Sequence, residues 1–172
     1  VYCATDKGLY LIRGNKLEQV NNFNKTIYSI IKDGNNSLWI GTAEGLYRMQ
    51  NDKIQQISFS KLPSSNFINF LNYYDQKVFV GTNNGLFVLT NLNGKKLAIM
   101  NYGIADGVVN LETNLNSSFI DKKGRLWFGT ASGLVSFLPS ATDDMFSYPH
   151  LIFKNILINY QQIDFGKYSD GV

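Results

Sequence analysis

LWIGTAEGLYRM, the stretch Leu38–Met49, recurs almost unchanged as LWFGTASGLVSF at Leu126–Phe137. Two further copies, VYCATDKGLYLI and VFVGTNNGLFVL, begin at Val1 and Val78. Measured on their shared Gly-Leu step, the four copies are spaced 37, 40 and 48 residues apart. Periods of this length are typical of β-propeller blades and of some helical arrays.

The residues inside each copy predict a β-hairpin rather than a helix. A run of β-branched and aromatic residues is followed by a small residue and Thr, then two variable residues, Gly-Leu and a second apolar run. Glycine suits a short turn that ends on a residue with positive φ, because it has no Cβ. We therefore interpret the repeated residues as structural: Trp39, Gly41, Thr42, Gly45, Leu46, Phe79, Gly81, Thr82, Gly85, Leu86, Trp127, Gly129, Thr130, Gly133 and Leu134.

Strand alternation predicts sheets that are covered on both faces. Trp39, Phe79 and Trp127 share one register position, and the apolar residue that follows each of them points the opposite way. A sheet with one face in solvent would alternate with polar residues instead. We expect the three large rings to lie mostly buried between neighbouring blades.

Each period holds more strands than the hairpin alone. Strand-like runs precede the hairpins at Thr26–Asp33, Phe67–Asp75 and Asn116–Asp121, and a polar run such as Asp52–Phe59 follows. Four strands per period make a propeller blade, and no stretch has sustained helical periodicity. The sequence predicts an all-β fold: a β-propeller array of about four consecutive, four-stranded antiparallel blades, the first without its innermost strand.

These residues carry a family resemblance. DGNNSLWIGTAEGLYRM (Asp33–Met49) and DKKGRLWFGTASGLVSF (Asp121–Phe137) resemble the two-component regulator propeller repeat. The first copy departs from it, since Tyr2 and Ala4 replace Trp and Gly. The resemblance implies that the array is a fragment of a larger, seven-bladed propeller. The segment Tyr148–Phe165 resembles the start of the triple-tyrosine, immunoglobulin-like domain that follows such propellers.

The domain organisation follows from the repeats and from this resemblance. Residues 1–139 are expected to form the propeller repeats, with a partial blade at 1–22 and blades at 23–60, 61–103 and 104–139. A stretch with two prolines and two acidic residues breaks the pattern, so 140–148 is interpreted as a linker. Residues 149–172 would begin the triple-tyrosine domain. Because Val1 already lies in a strand pattern, the chain is expected to be a piece of a longer protein.

The resemblance also implies a function. Such propellers form the periplasmic sensor region of an inner-membrane histidine kinase, often fused to a response regulator, that commonly responds to glycan fragments and signals to transcription through a phosphorelay. This chain would then be a ligand-sensing segment, with the kinase chemistry in other domains. The competing interpretation is a propeller interaction scaffold, or a polysaccharide-active propeller without a kinase.

The side chains offer no constellation for catalysis. The chain has one Cys and one His, so a catalytic triad or a histidine-based metal site is not expected. Among the acidic residues Asp106, Glu112 and the pair Asp143-Asp144, no two are recognisable as a glycosidase pair. Asp33 is interpreted as capping backbone N–H groups in the DGNN turn rather than binding calcium. We predict no enzymatic activity, cofactor or metal for this chain.

Composition restricts the partners. The net charge is +3 and no basic run is interleaved with aromatic residues, which argues against nucleic-acid binding. No stretch of about 18 apolar residues occurs, so a membrane connection would run through other parts of the parent. Cys3 lies in a strand register and is interpreted as a small buried hydrophobe. Blade faces left open at the ends of the array would favour a homodimer.

With no catalytic, metal or nucleic-acid site expected, ligand binding is the predicted activity of this chain. The expected ligand is an oligosaccharide. Aromatic rings stack on sugars, and polar side chains bond to their hydroxyl groups. The loop stretches that are richest in such groups are Asn21–Lys25, Phe59–Phe67 and Met100–Asn114. Our candidate ligand contacts are Tyr102, Asp106, Asn110 and Glu112; the alternative is that they only shape a long loop. For Phe23, Tyr73 and Tyr102, packing and ligand contact are both open.

Overall fold

The computed structural model describes residues 1–58, 67–93, 97–108, 112–138, 157–158 and 161–162. The chain divides into two compact units, Val1–Pro139 and Ser140–Val172. In the second unit the description covers one short hairpin, β15 (Leu157–Ile158) with β16 (Gln161–Gln162). The remainder of the predicted tail lies outside the described residues.

The first unit consists of four antiparallel sheets, in each of which consecutive strands pair with one another. Blade 1 contains β1–β3: Tyr2–Thr5, Gly8–Arg13 and Lys16–Gln19. Blade 2 contains β4–β7: Ile27–Lys32, Leu38–Thr42, Gly45–Gln50 and Lys53–Ile57. Blade 3 contains β8–β11: Ile68–Tyr74, Lys77–Thr82, Gly85–Thr90 and Ala98–Tyr102. Blade 4 contains β12–β14: Thr113–Ile120, Leu126–Thr130 and Gly133–Phe137.

These sheets are blades of a β-propeller, as the sequence predicted. The innermost strands β4, β8 and β12 lie side by side, and each blade packs face to face on the next. Blade 1 lacks an innermost strand, in agreement with the prediction. Blade 4 has three strands within the described residues rather than the predicted four. One short 3₁₀ turn, Ile104–Asp106, lies between blades 3 and 4.

Alternation along the strands builds three apolar layers, one at each junction between blades. Trp39 and Leu46 of blade 2 face blade 3, whereas Ile40 of blade 2 faces blade 1. Phe79 of blade 3 correspondingly faces blade 4 and packs with the Phe128 cluster. The predicted two-sided burial is therefore confirmed for the hairpin strands of blades 2 and 3, because every second side chain enters a different layer.

The ring of Trp127 corrects one expectation. Trp39 and Phe79 are fully buried, but Trp127 at the equivalent position of blade 4 is only partly buried. Leu134, which corresponds to the buried Leu46, is 70% exposed. Among the described residues, no other blade of the first unit packs on this face of blade 4. Burial at this position depends on a following blade, so the sequence pattern alone predicted it wrongly for Trp127.

Polar side chains join the innermost strands. The Oγ atom of Ser29 accepts the backbone N–H of Leu71 at 3.1 Å, and the Asn72 amide donates to Oγ of Ser118 at 2.6 Å. The buried amide of Asn69 donates to the carbonyl oxygen of Thr113 at 2.7 Å. Such buried groups require partners, so these bonds also determine how neighbouring blades meet. The described residues contain no helix with the length and apolar character of a membrane span.

Candidate ligand-binding site

The repeated Thr of each hairpin has a structural role. Oγ1 of Thr42 donates to the carbonyl oxygen of Gly45 at 2.9 Å and accepts the N–H of Glu44 at 3.1 Å. The same pair of bonds occurs at Thr5, Thr82 and Thr130. A side chain that forms hydrogen bonds to the backbone on both sides of a turn stabilises the conformation of that turn. The Gly-Thr…Gly motif therefore builds turns and leaves its two variable residues available for other tasks.

A carboxylate organises the turn before two of the hairpins. Oδ1 of Asp33 accepts the backbone N–H groups of Asn35 at 2.8 Å and Ser37 at 2.9 Å, while Oδ2 accepts the indole N–H of Trp39 at 2.9 Å. The predicted capping role of Asp33 is confirmed. In the described part of the chain, no group of three His, Cys, Asp or Glu side chains is arranged to hold a metal ion.

Asp121 repeats this arrangement in blade 4. Its Oδ1 accepts the N–H groups of Lys123 and Arg125, and its Oδ2 accepts the indole N–H of Trp127 at 3.0 Å. The hydrogen bond from Trp127, followed by that from the backbone of Arg125, lowers the pKa of the Asp121 carboxyl below its ordinary value of 3.8. Donors that bond to the ionised form favour it over the protonated form.

The four candidate contacts are distributed along the loop between blades 3 and 4. The Tyr102 ring is partly buried and packs against Phe137, with ring centroids 4.8 Å apart. Asp106 is exposed, and its Oδ2 accepts the N–H of Gly103 at 2.8 Å. Glu112 is exposed at the far end of the loop, and Asn110 lies outside the described residues. Tyr102 and Asp106 thus have structural contacts, and a ligand role for this loop stays a prediction.

A groove lies beside the stretch Asn21–Lys25, another of the loops that the sequence singled out. It has a volume of about 620 Å³ and is lined by residues of that stretch and by Tyr47, Lys53, Ile54 and Gln55. The rings of Phe23 and Tyr47 pack edge to face at 5.1 Å and are 8% and 7% exposed. Phe23 therefore belongs to the core beneath the groove. The exposed side-chain amides of Asn21, Asn22 and Asn24 form the surface of the groove.

An ion pair borders this groove. The ammonium of Lys25 contacts the carboxylate of Glu44 and lies 5.9 Å from the centroid of the Tyr47 ring. The hydrogen bond to Glu44 raises the pKa of Lys25 above its ordinary value of 10.5. Pairs of this kind in solvent contribute little to stability. The groove thus presents side-chain amides beside a paired cation, which are groups able to bond to hydroxyls.

Sequence reasoning missed a buried charged network around Arg48. Its guanidinium donates to the carbonyl oxygen of Leu92 and to Oγ of Ser37, each at 2.8 Å, and it lies 5.0 Å from the centroid of the Trp39 ring. Its Nη2 is 3.6 Å from Oδ2 of the buried Asp33. The repeat contained a signal for this network. The strand register places Leu11, Val88 and Ser136 at the positions equivalent to Arg48, so blade 2 alone has a charged residue there.

Comparisons with known proteins agree with this geometry. Residues 22–44 match the family described as "Two component regulator propeller". The extracellular domain of the hybrid two component system BT4673 from B. thetaiotaomicron is 28% identical with a TM-score of 0.62, and that of BT3049 is 24% identical with a TM-score of 0.65. Each match covers 81% of this chain and 19% of the other. No curated protein matches.

A more distant likeness concerns the fold alone. Virginiamycin B lyase from Staphylococcus aureus is 18% identical with a TM-score of 0.52, over 77% of this chain and 48% of the lyase. The stacked antiparallel blades therefore define the class of this protein, a β-propeller array. One of its repeats, at residues 22–44, matches the two-component regulator propeller. The chain spans about a fifth of the length of the two-component structures that it matches.

Proposed function

We propose that this chain is an extracytoplasmic ligand-sensing segment of a two-component sensor histidine kinase that is fused to a response regulator. The observation that carries the proposal is the regulator propeller repeat at residues 22–44. The 28% identity to the extracellular domain of a hybrid two component system supports it. The segment would lie in the periplasm as part of an inner-membrane protein and would itself perform no catalysis.

The proposed ligand is a glycan fragment, and the response is a change in transcription through a phosphorelay in the parent. The amide-rich groove at Asn21–Lys25 and the exposed carboxylates of Asp106 and Glu112 have the chemistry that sugar hydroxyls require. Binding passes a signal only if the ligand has different affinities for two arrangements of blades or domains. The loop between blades 3 and 4 is the proposed contact region.

The first test uses the full-length parent in cells. A transcriptional reporter is measured during growth on a panel of purified polysaccharides and their oligosaccharides, and affinity of the purified sensor region is measured by calorimetry. We expect one glycan class both to bind and to activate transcription. If no glycan does either, the proposed function is wrong, and the scaffold interpretation replaces it.

The second test addresses the loop. Tyr102→Phe keeps the ring against Phe137 and removes the hydroxyl, whereas Glu112→Gln removes a charge; Glu18→Gln on the exposed strand β3 is the matched control. We expect the two loop variants, and not the control, to weaken glycan affinity and reporter response by about tenfold, as the loss of a polar contact does. Wild-type values for both loop variants would exclude this loop as the contact region.

A further inference from the structure

A second concave site lies at the opposite ends of the hairpin strands from the Thr-Gly turns. The turn between β4 and β5, the turn between β8 and β9 and the loop after β10 surround a cleft of about 210 Å³, hereafter the turn cleft. It is lined mainly by polar side chains, among them Asn35, Asp75, Gln76, Lys77, Asn91 and Asn93. Asn35 comes from blade 2 and the others from blade 3, so the cleft exists only where two blades meet.

Three residues around the turn cleft have left-handed backbone conformations. Asp75, Gln76 and Asn91 have φ values of 47°, 57° and 55°, in the left-handed region. Asparagine and aspartate adopt this region more readily than other residues with a Cβ, so Gln76 is the uncommon one of the three. The two-residue turn between β8 and β9 would favour glycine at its second position, where this chain has Gln76. Asp75 and Gln76 are both exposed toward the cleft.

Arg48 connects the two sides of the turn cleft. It donates to Ser37 beside the turn of blade 2 and to Leu92, which lines the cleft in the loop of blade 3, so it links the two blades next to the cleft. Its Nε is buried without a hydrogen-bond partner among the described residues. A buried ion pair is weak evidence for a role in stability, because desolvation opposes the attraction. Other blades have Leu11, Val88 or Ser136 at this position, so the repeat itself does not require an arginine.

We propose that the turn cleft binds a single neutral sugar residue and that Arg48 is a positioning residue that links the two blades forming it. The volume is below the range of about 300–1,000 Å³ for drug-sized ligands, which fits one ring rather than an oligosaccharide. Asp75 and Lys77 contribute one charge of each sign, which favours an uncharged polyol over a uronic acid. The choice of a sugar rests on the proposed function.

The test uses the 172-residue chain, labelled with ¹⁵N, and amide chemical shifts. The probes are the methyl glycosides of glucose, galactose, mannose, xylose and arabinose, with methyl glucuronide as the charged comparison. We expect at least one neutral glycoside to shift the amides of Asn35, Gln76 and Asn93 in a saturable manner, and to do so more strongly than the glucuronide. Equal or stronger binding of the glucuronide would overturn the choice of a neutral ligand.

Matched variants separate binding from folding. The backbone N–H groups of Asn35 and Lys123 each donate to the Asp of their turn at 2.8 Å, so Asn35→Ala and Lys123→Ala make the same change in blades 2 and 4. We expect Asn35→Ala and Asp75→Asn to weaken binding by about tenfold, while Lys123→Ala binds as the wild type does. Dispersed amide spectra establish that each variant is folded.

Arg48→Lys tests the positioning role. Lysine retains the charge beside Asp33 but lacks the planar fork that reaches both Ser37 and Leu92. We expect weaker binding, together with shifted amide signals of Asn91–Asn93 before any sugar is added. Wild-type affinity in this variant would remove Arg48 from the proposal.

The outcomes distinguish this inference from the proposed function. If no glycoside shifts the cleft amides, or if the shifts occur instead at the groove around Asn21–Lys25, the turn cleft is not a sugar site, although the parent can still be a glycan sensor. If cleft binding occurs and the parent responds to no glycan, the cleft site stands and the sensor function fails.

Discussion

At the scale of single residues, the carboxylate of Asp121 makes the turn before β13 sensitive to pH. Three N–H donors bond to it, and the indole N–H of Trp127 has the largest influence on its pKa. The folded-state pKa is therefore lower than the unfolded value. The stabilisation is complete above the ordinary value of 3.8 and is lost as the pH falls through the folded pKa, because the unfolded chain then binds more protons.

Trp127→Phe tests this coupling directly. The substitution keeps an aromatic ring and removes the indole N–H, so we expect the pKa of Asp121 to rise toward 3.8. The measurement is a ¹³C NMR titration of the Asp121 carboxyl group in both proteins. Asp121→Asn is the complementary variant, because it has no titratable group at this position. Its free energy of unfolding should be lower than that of the wild type at neutral pH and should fall less as the pH is lowered. An unchanged carboxyl titration in Trp127→Phe would contradict the assignment of the indole as the main cause.

At the scale of the hairpin, glycine is required for different reasons in different copies. Gly8 and Gly133 have similar φ values of 126° and 136°. A Cβ on Gly8 would lie 1.9 Å from the carbonyl oxygen of Phe23, whereas a Cβ on Gly133 would meet nothing within 4 Å. The close approach at Gly8 brings the same carbonyl within 3.2 Å of the backbone N–H of Leu9, which donates to it.

The alanine variants of these glycines form a matched pair. Gly133→Ala should lose about 1–3 kcal/mol, the usual cost of a residue in a sparsely populated backbone region. Gly8→Ala should lose more, because it has the same strain and must also displace the Phe23 backbone. Urea unfolding of both variants measures the difference. Equal losses of unfolding free energy would mean that the backbone at Phe23, between β3 and β4, moves aside without cost.

At the scale of the whole chain, the exposed large apolar residues concentrate on the two end blades. On blade 4, Phe119 and Leu134 are 64% and 70% exposed on the face that is covered in blades 2 and 3. On blade 1, Ile12 and Leu17 are 39% and 61% exposed. Ile12 pairs with Leu17 across β2 and β3, so both belong to one patch. Open faces of this kind drive association, because covering them removes apolar area from water.

We therefore expect the chain to self-associate through these faces. Combined Phe119→Ser and Leu134→Ser substitutions should shift the protein toward monomer in light scattering over a concentration series. Ile104→Ser is the control, since Ile104 is 68% exposed on the 3₁₀ turn rather than on a blade face. A monomeric wild type at high concentration, or an equal effect of the control, would exclude association through the end of blade 4.

Local hydrogen bonding explains what could be read from the sequence. The turns at Thr42 and at Asp33 are completed by partners no more than six residues away, so residue type and spacing suffice to predict them. The same applies to strand alternation. It predicted from the sequence that Trp39 and Ile40 point to opposite faces of their sheet, and they lie in different apolar layers. Through these features the sequence by itself determined the blade repeat, the hairpins and the two-sided core.

Contacts between blades are what only the tertiary structure decided. Arg48 reaches Leu92 across 44 positions in the chain, and the turn cleft exists only because blade 3 lies against that side of blade 2. The Tyr102 ring packs against Phe137 of the next blade, while Trp127 is only partly buried because no further blade of the first unit follows it in the described part of the chain. Each repeat specifies its own hydrogen bonds, but the surroundings of its side chains depend on which blade, if any, packs against it.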